Sequence, residues 1–354
     1  MAFIELPEHT VEWHAHRLKF IGGSEIASLF GVQPNWADSA YALHHVKSGT
    51  VKPRKNASKR AIFGTKAEPL IAEMVAEFRG WTLRKGRYAT DDTTPGMGAS
   101  LDYEILDPGT DVDGVKAGAV MVSDGDDDDD DGADEKIEVG KVMRTFTGPL
   151  VGPGVLQIKQ VDYSQYKQAW SFDEPPEYVL LQLQHEIACS GYKWGVIVCW
   201  LGGNDMRFFF YQARDKAIAA IRARVTEFWR RVRDKQPPPI DGTASDEYVV
   251  RELFPKLVDN ENAPLDLTGD NELPDICAQL LAATANRLAE EKLEKRLKNR
   301  IREKMGIHTY AFTTGYILKC QVTPEKKPRH PDPGELIGGR KETRKYTVTE
   351  DMAA

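Results

Sequence analysis

At 354 residues, with 41% hydrophobic and 29% charged residues, the chain can bury one large core or two moderate ones and has the balance of an ordinary globular protein. No apolar run is long enough to span a bilayer, the N-terminus carries no signal-peptide pattern, and Cys189, Cys199, Cys277 and Cys320 lack C-x-x-C spacing; a membrane span, a disulfide framework and a zinc or iron–sulfur centre are not expected, and a reducing cytoplasm is. The net charge of −7 is unevenly placed: residues 107–148 hold 13 acids and 4 bases, and without that local −9 the remainder carries +2, a mildly basic body with an acidic appendage.

In chain order, residues 1–20 are mixed, with Trp13, His14, His16 and Arg17 close together. Gly22-Gly23-Ser24 opens a short helical pattern through Phe30 with Ser24 at its cap, and free amides at a helix start attract anions. Another helix is read over 36–48, followed by a basic loop over 51–57 with Lys52, Arg54 and Lys55. Such a loop is ordinarily solvated, and beside a nucleic-acid cleft it meets phosphates. Ser58 caps a long helix to about Arg79, with Ile62, Leu70, Met74, Val75 and Phe78 as its core-facing stripe. Within it Glu68 is followed by Pro69, which removes a backbone donor. Residues 81–90 and 97–106 alternate as antiparallel strands about a Pro95-Gly96 turn, the second beginning Gly98-Ala99-Ser100-Leu101-Asp102.

The acidic stretch comes next, with Asp124 and the run Asp126 to Asp131. Six consecutive like charges repel one another and are not expected to fold. The stretch reads as a tolerated insertion at about 107–148 or, alternatively, as an autoinhibitory arm that imitates DNA phosphates. Val155-Leu156-Gln157-Ile158-Lys159-Gln160 is a short apolar strand on which Gln157 and Lys159, two apart, share a face. Pro175-Pro176 leads into a helix to about Ser190; Gln182 and Gln184 lie about 200° apart on it, so at most one faces a site. Strands over 194–201 and 206–212 meet at Gly202-Gly203-Asn204, and a helix from Asp215 to about Lys235 carries Arg222, Arg224, Arg230, Arg231 and Arg233, as a solvated face or as a DNA track.

Pro237-Pro238-Pro239 ends a first domain over residues 1–236. Residues 240–268 read as loop-rich; a long amphipathic helix from about Pro274 to Met305, a hairpin within 308–322 and a basic, Pro-rich tail complete a second region, 237–354. No G-x-S-x-G, Walker A or H-E-x-x-H pattern offers a competing catalytic set.

The order Glu68, Asp102, Gln157-x-Lys159 resembles the PD-(D/E)xK nuclease core, and more narrowly the YqaJ-like viral recombinase family, relatives of lambda exonuclease. Four stretches carry the resemblance, in order, across roughly residues 15–235: Ile21 to Ala27, Gly64 to Pro69, Gly98 to Asp102, and Tyr178 to Gln184. It implies an α/β fold, a central mixed sheet flanked by helices with an α-rich C-terminal extension, and magnesium-dependent exonucleolytic degradation of linear double-stranded DNA, 5′ to 3′, for phage recombination in a bacterial host cell. Manganese is expected to substitute. A ring-shaped homo-oligomeric trimer and a single-strand annealing protein are the implied partners. In site terms the resemblance implies Glu68, Asp102 and Gln157 as metal ligands, Lys159 and Gln182 as the rest of the catalytic set, and a DNA phosphate pocket of Arg17, Ser24 and Ser100. A further family arginine of that pocket falls near Gln165.

Two residues depart from the family pattern: Leu101 stands where proline is usual, and Gln157 where glutamate is usual. A carboxamide oxygen still offers a ligand but not the negative charge that draws a cation. Three readings follow for Gln157: a natural variant that still works, an engineered substitution, or a protein that binds DNA without cutting it. An endonuclease with the same site is a further alternative.

Overall fold

A computed structural model describes residues 2–6, 10–54, 59–108, 142–146, 149–170, 174–256, 265–313 and 316–319. The chain forms two compact units, Met1–Leu257 and Val258–Ala354. In the first, β1 (Ala2–Ile4) and helices α1 (Val11–Arg17), α2 (Ile26–Phe30), α3 (Ala40–Lys47) and α4 (Lys59–Arg79) precede the first long hairpin. Alternation alone reads that hairpin as one pair of strands. In the structure each arm is broken in two, giving β2 (Thr82–Lys85), β3 (Tyr88–Thr90), β4 (Gly98–Ser100) and β5 (Tyr103–Asp107). The tip, β3 and β4, joins β1 in a three-stranded antiparallel sheet, while β2 and β5 enter a larger one.

The break is made by Gly86 and Leu101. Gly86 N–H donates to the Asp102 carbonyl at 3.1 Å, and a Cβ at residue 86 would stand 2.0 Å from the Leu101 carbonyl oxygen. Backbone meets backbone there, so no side chain can give way. Gly86→Ala is expected to cost about 1–3 kcal/mol by overpacking, measured as a lower urea midpoint at unchanged m-value.

The remaining strands are β6 (Val142–Arg144), β7 (Gly154–Val161), β8 (Trp194–Leu201) and β9 (Asp205–Gln212). Helices α5 (Tyr163–Ala169) and α6 (Glu177–Ser190) lie between β7 and β8, and α7 (Asp215–Asp234) and α8 (Ala244–Leu253) follow. The large sheet has the order β2-β5-β7-β8-β9-β6; β7 runs parallel to β8 and β6 to β9, the other neighbours antiparallel. It is the mixed sheet expected. Most of the acidic stretch, residues 109–141, lies outside the described residues, but its end is an ordered edge strand, β6.

Side-chain parity along β7 sorts the two faces. Val155 and Val161 pack with Ile197, Phe209, α6 and α7, whereas Leu156 and Ile158 pack with Val196, Val198, Phe208, Phe210 and α4. On α4 the buried residues are Ile71, Ala72 and Val75, while Ile62, Leu70 and Phe78 are exposed. The expected stripe is therefore rotated by about one residue: it shares Val75 and the partly buried Met74 with the observed one.

After Pro237-Pro238-Pro239 the loop expected over 240–268 contains α8. Thr243 and Asp246 form a capping box, and Asp246 also accepts from the Ser39 hydroxyl, so α8 packs on α3 within the first unit. The expected boundary after residue 236 thus lies inside that unit. In the second unit α9 (Leu273–Met305) is followed by the hairpin β10 (Tyr310–Thr313) and β11 (Tyr316–Lys319), as expected. The tail beyond residue 319 lies outside the described residues. Among the described residues no helix is long and apolar enough to cross a membrane.

Candidate active site

Gln157 and Lys159 extend from β7 on the face that α6 covers, in the parity of Val155 and Val161. Gln157 is fully buried and Lys159 half-buried. Asp102 lies just before β5, where the β5–β7 ladder ends at Tyr103↔Leu156. Its Oδ2 accepts the Ile158 N–H at 2.9 Å, so the carboxylate replaces the missing ladder partner and is held beside Gln157 and Lys159. The loss of proline at Leu101 does not disturb this arrangement: Leu101 is fully buried and its N–H donates to the Arg87 carbonyl at 3.2 Å, a bond that proline could not make.

Helix α6 is anchored on both sides of the residue it presents. Gln184 donates to the Gln212 carbonyl at 2.9 Å and accepts from the Arg214 N–H at 2.8 Å, which makes it structural. His185 is fully buried with Nε2 2.9 Å from the Gly98 carbonyl oxygen, and burial lowers its pKa toward the neutral ring. One turn earlier, Gln182 accepts from Lys159 Nζ at 3.2 Å and donates to Glu186 Oε1 at 2.8 Å. Glu186 Oε1 also receives Gln157 Nε2 at 3.3 Å. The chain Lys159–Gln182–Glu186–Gln157 is therefore continuous.

Sequence reading did not select Glu186. It stands four residues after Gln182, about 40° away on the same helix face, but that face is recognisable only once α6 is placed on the sheet. Glu186 is fully buried, and burial first, then repulsion from Asp102, raise its pKa to about 8 against the opposing effects of Lys159 and Gln182; Glu68 adds to the rise. Gln157 Oε1 and Glu186 Oε2 are buried acceptors with no hydrogen-bond partner among the described residues. An unsatisfied buried acceptor costs about 1–3 kcal/mol, so two of them beside Asp102 form a site short of positive charge.

Glu68 arrives from α4, the helix on the opposite face of the sheet. Its carboxylate is paired with Lys85 at 2.6 Å and lies close enough to Glu186 to affect it. Of the predicted phosphate residues, Arg17 and Ser24 line one cavity of about 240 Å³, together with Arg54, Glu25, Asp38 and Trp36. Ser100 is joined to them through Trp13, whose Nε1 donates to the Ser100 hydroxyl at 3.1 Å while the Arg17 guanidinium stacks 4.5 Å from its ring. The basic loop thus contributes Arg54, held by Asp38 at 2.5 Å, whereas Gln165 is exposed on α5 and does not line the cavity.

Ser24 is not the cap of α2. That position is Glu25, which accepts the Gly22 N–H at 2.8 Å and pairs with Lys47 at the same distance. The Gly22-Gly23-Ser24 turn touches α6 itself: a Cβ at Gly23 would stand 2.9 Å from Glu186 Oε1 and 3.1 Å from Gln182 Cγ. The α7 arginines are largely committed to the protein, Arg222 to Asp91, Arg230 to Glu227 and Asp234, and Arg231 to Glu227.

Among the described residues no three His, Cys, Asp or Glu side chains form a ready cation cage. The donors at hand are two carboxylates, Asp102 and Glu186, and one amide oxygen, a set that suits a hard cation keeping several of its waters. Residues 12–193 match the YqaJ-like viral recombinase domain, 182 of the 354 residues. Two solved structures are similar to the chain in overall fold: LHK-Exo in complex with dAMP, and an alkaline exonuclease (LHK-Exo) from Laribacter hongkongensis. Each is 17% identical, with a TM-score of 0.44, over 69% of this chain and 97% of that one. No curated protein matches the chain.

Proposed function

Because the chain belongs to the YqaJ-like viral recombinase domain family, we propose that its site hydrolyses phosphodiester bonds of linear double-stranded DNA from the 5′ end. The observation that carries this reading is the Asp102 carboxylate locked onto the Ile158 N–H between Gln157 and Lys159, on the face closed by Gln182. Magnesium would be held through Asp102 and the Gln157 oxygen, with Glu68 as an outer contributor, and would supply an activated water and charge stabilisation at the phosphate.

The chain's own side chains do the rest. Lys159, steadied by the Gln182 carbonyl oxygen, places a positive charge and a proton donor beside the scissile phosphate and orients the attacking water. Arg17 is stiffened by stacking on Trp13 and, with Ser24 and Arg54, provides donors for a neighbouring backbone phosphate.

Gln157 favours a second reading. A fully buried amide where a carboxylate is usual would suit a protein that binds DNA ends without cutting them. Incubation of linear and covalently closed circular duplex DNA with magnesium or manganese separates the possibilities. Progressive loss of the linear form alone is expected. Nicking of circles would replace this reading with an endonuclease, and retention of DNA without cleavage would replace it with a binding module.

A further inference from the structure

The carboxylate missing from β7 has a counterpart on α6. Gln157 and Glu186 are both fully buried and face each other, the amide nitrogen of one donating to Glu186 Oε1. Each keeps one buried oxygen, Gln157 Oε1 and Glu186 Oε2, that finds no hydrogen-bond donor among the described residues. Relative to the family's pattern of glutamate on the strand, the site has exchanged an acid for an amide at Gln157 while an acid stands opposite it on the helix. The site thus keeps a second carboxyl group close to Asp102, on the helix instead of the strand. Two glutamates in these positions would instead place like charges in contact without solvent.

We propose that Glu186 is the second carboxylate ligand of the site, binding a divalent cation jointly with Asp102 and leaving Gln157 as a neutral oxygen donor. This rests on the nuclease reading above and adds to it the residue that supplies the missing charge. Glu68 is less suited to that role, since Lys85 already holds its carboxylate. The plain alternative is that Glu186 only anchors Gln182, to which it is bonded at 2.8 Å. The two roles differ in what a swap should do. An anchor is lost when its acid is moved to the strand, whereas a ligand set of one acid and one amide survives the exchange.

The test measures Mn2+ binding to the full chain without DNA, by electron paramagnetic resonance and by the rise in melting temperature on adding Mn2+, alongside degradation of linear DNA. Folding of each variant is checked by circular dichroism. Glu186→Gln is expected to weaken Mn2+ binding about tenfold or more and to reduce the melting shift at a fixed Mn2+ concentration accordingly. The double variant Gln157→Glu/Glu186→Gln is expected to recover both to near wild-type values. Unchanged Mn2+ affinity in Glu186→Gln would overturn the inference, as would a folded double variant that recovers nothing. If the wild type degrades linear DNA while either result holds, only the role of Glu186 falls. A wild type that neither binds Mn2+ nor degrades DNA removes the nuclease reading and this inference together.

Discussion

Asp102→Asn is expected to slow the magnesium-supported loss of linear duplex DNA by about a thousandfold, the equivalent of about 4 kcal/mol of lost charge stabilisation. The fold should persist. What holds residue 102 in place is acceptance of the Ile158 N–H, and an asparagine Oδ1 makes the same bond without the charge. Single-turnover degradation of an end-labelled duplex gives the rate, and circular dichroism with a melting curve checks the structure. A rate within tenfold of the wild type, in a folded variant, would move the chemistry away from this carboxylate.

Glu104→Gln should have the largest effect on stability. Glu104 is the second residue of β5, fully buried, and receives Arg87 at 2.9 Å, Arg84 at 2.8 Å and the Tyr192 hydroxyl. Burial alone would raise its pKa, but hydrogen bonds from Arg87, Arg84 and Tyr192 and the charge of Arg87 outweigh it and bring the value down to about 2. A carboxyl whose folded pKa lies below its unfolded value of about 4.3 stabilises the folded state at all higher pH, and that contribution disappears as pH falls through the folded value. The substitution should therefore cost about 3 kcal/mol near neutral pH, the usual scale for breaking a buried pair. The difference from wild type should shrink as pH drops from about 4.3 toward 2. Urea unfolding at pH 7, 4.5 and 3 measures it, and a pH-independent difference would show that shape rather than charge holds the position.

Much of the site is legible without coordinates because period two on a strand is unambiguous. Gln157 and Lys159 had to share a face, and the ordered stretches from Ile21 to Gln184 brought Asp102 and Gln182 to it. Glu186 was not legible. Within Gln182-Leu183-Gln184-His185-Glu186 four of the five residues are polar, and only packing decides which of them look inward. Gln184 and His185, which brace the helix, are as polar as the residues they position. Alternation likewise continues through Gly86 and Leu101, so one hairpin reads as uninterrupted although the two backbones touch there and divide it between sheets. Helix α8 was hidden for another reason: its capping pair, Thr243 and Asp246, lies in a stretch whose nearby prolines and polar residues mimic a loop. The stripe of α4 was misplaced because several apolar residues of that helix remain exposed, leaving more than one face with the right spacing.

Strands β5 and β7 run antiparallel, and Asp102 and Gln157 stand at one end of that pair while the connection from Asp107 to Gly154 leaves from the other. Five residues of extended chain, about 17 Å, separate that exit from the acid. The connection that contains the aspartate-rich segment therefore departs from the end of the β5–β7 pair opposite the candidate site. A change of length or charge in that connection, made before β6, would reach Asp102 only through the full length of β5.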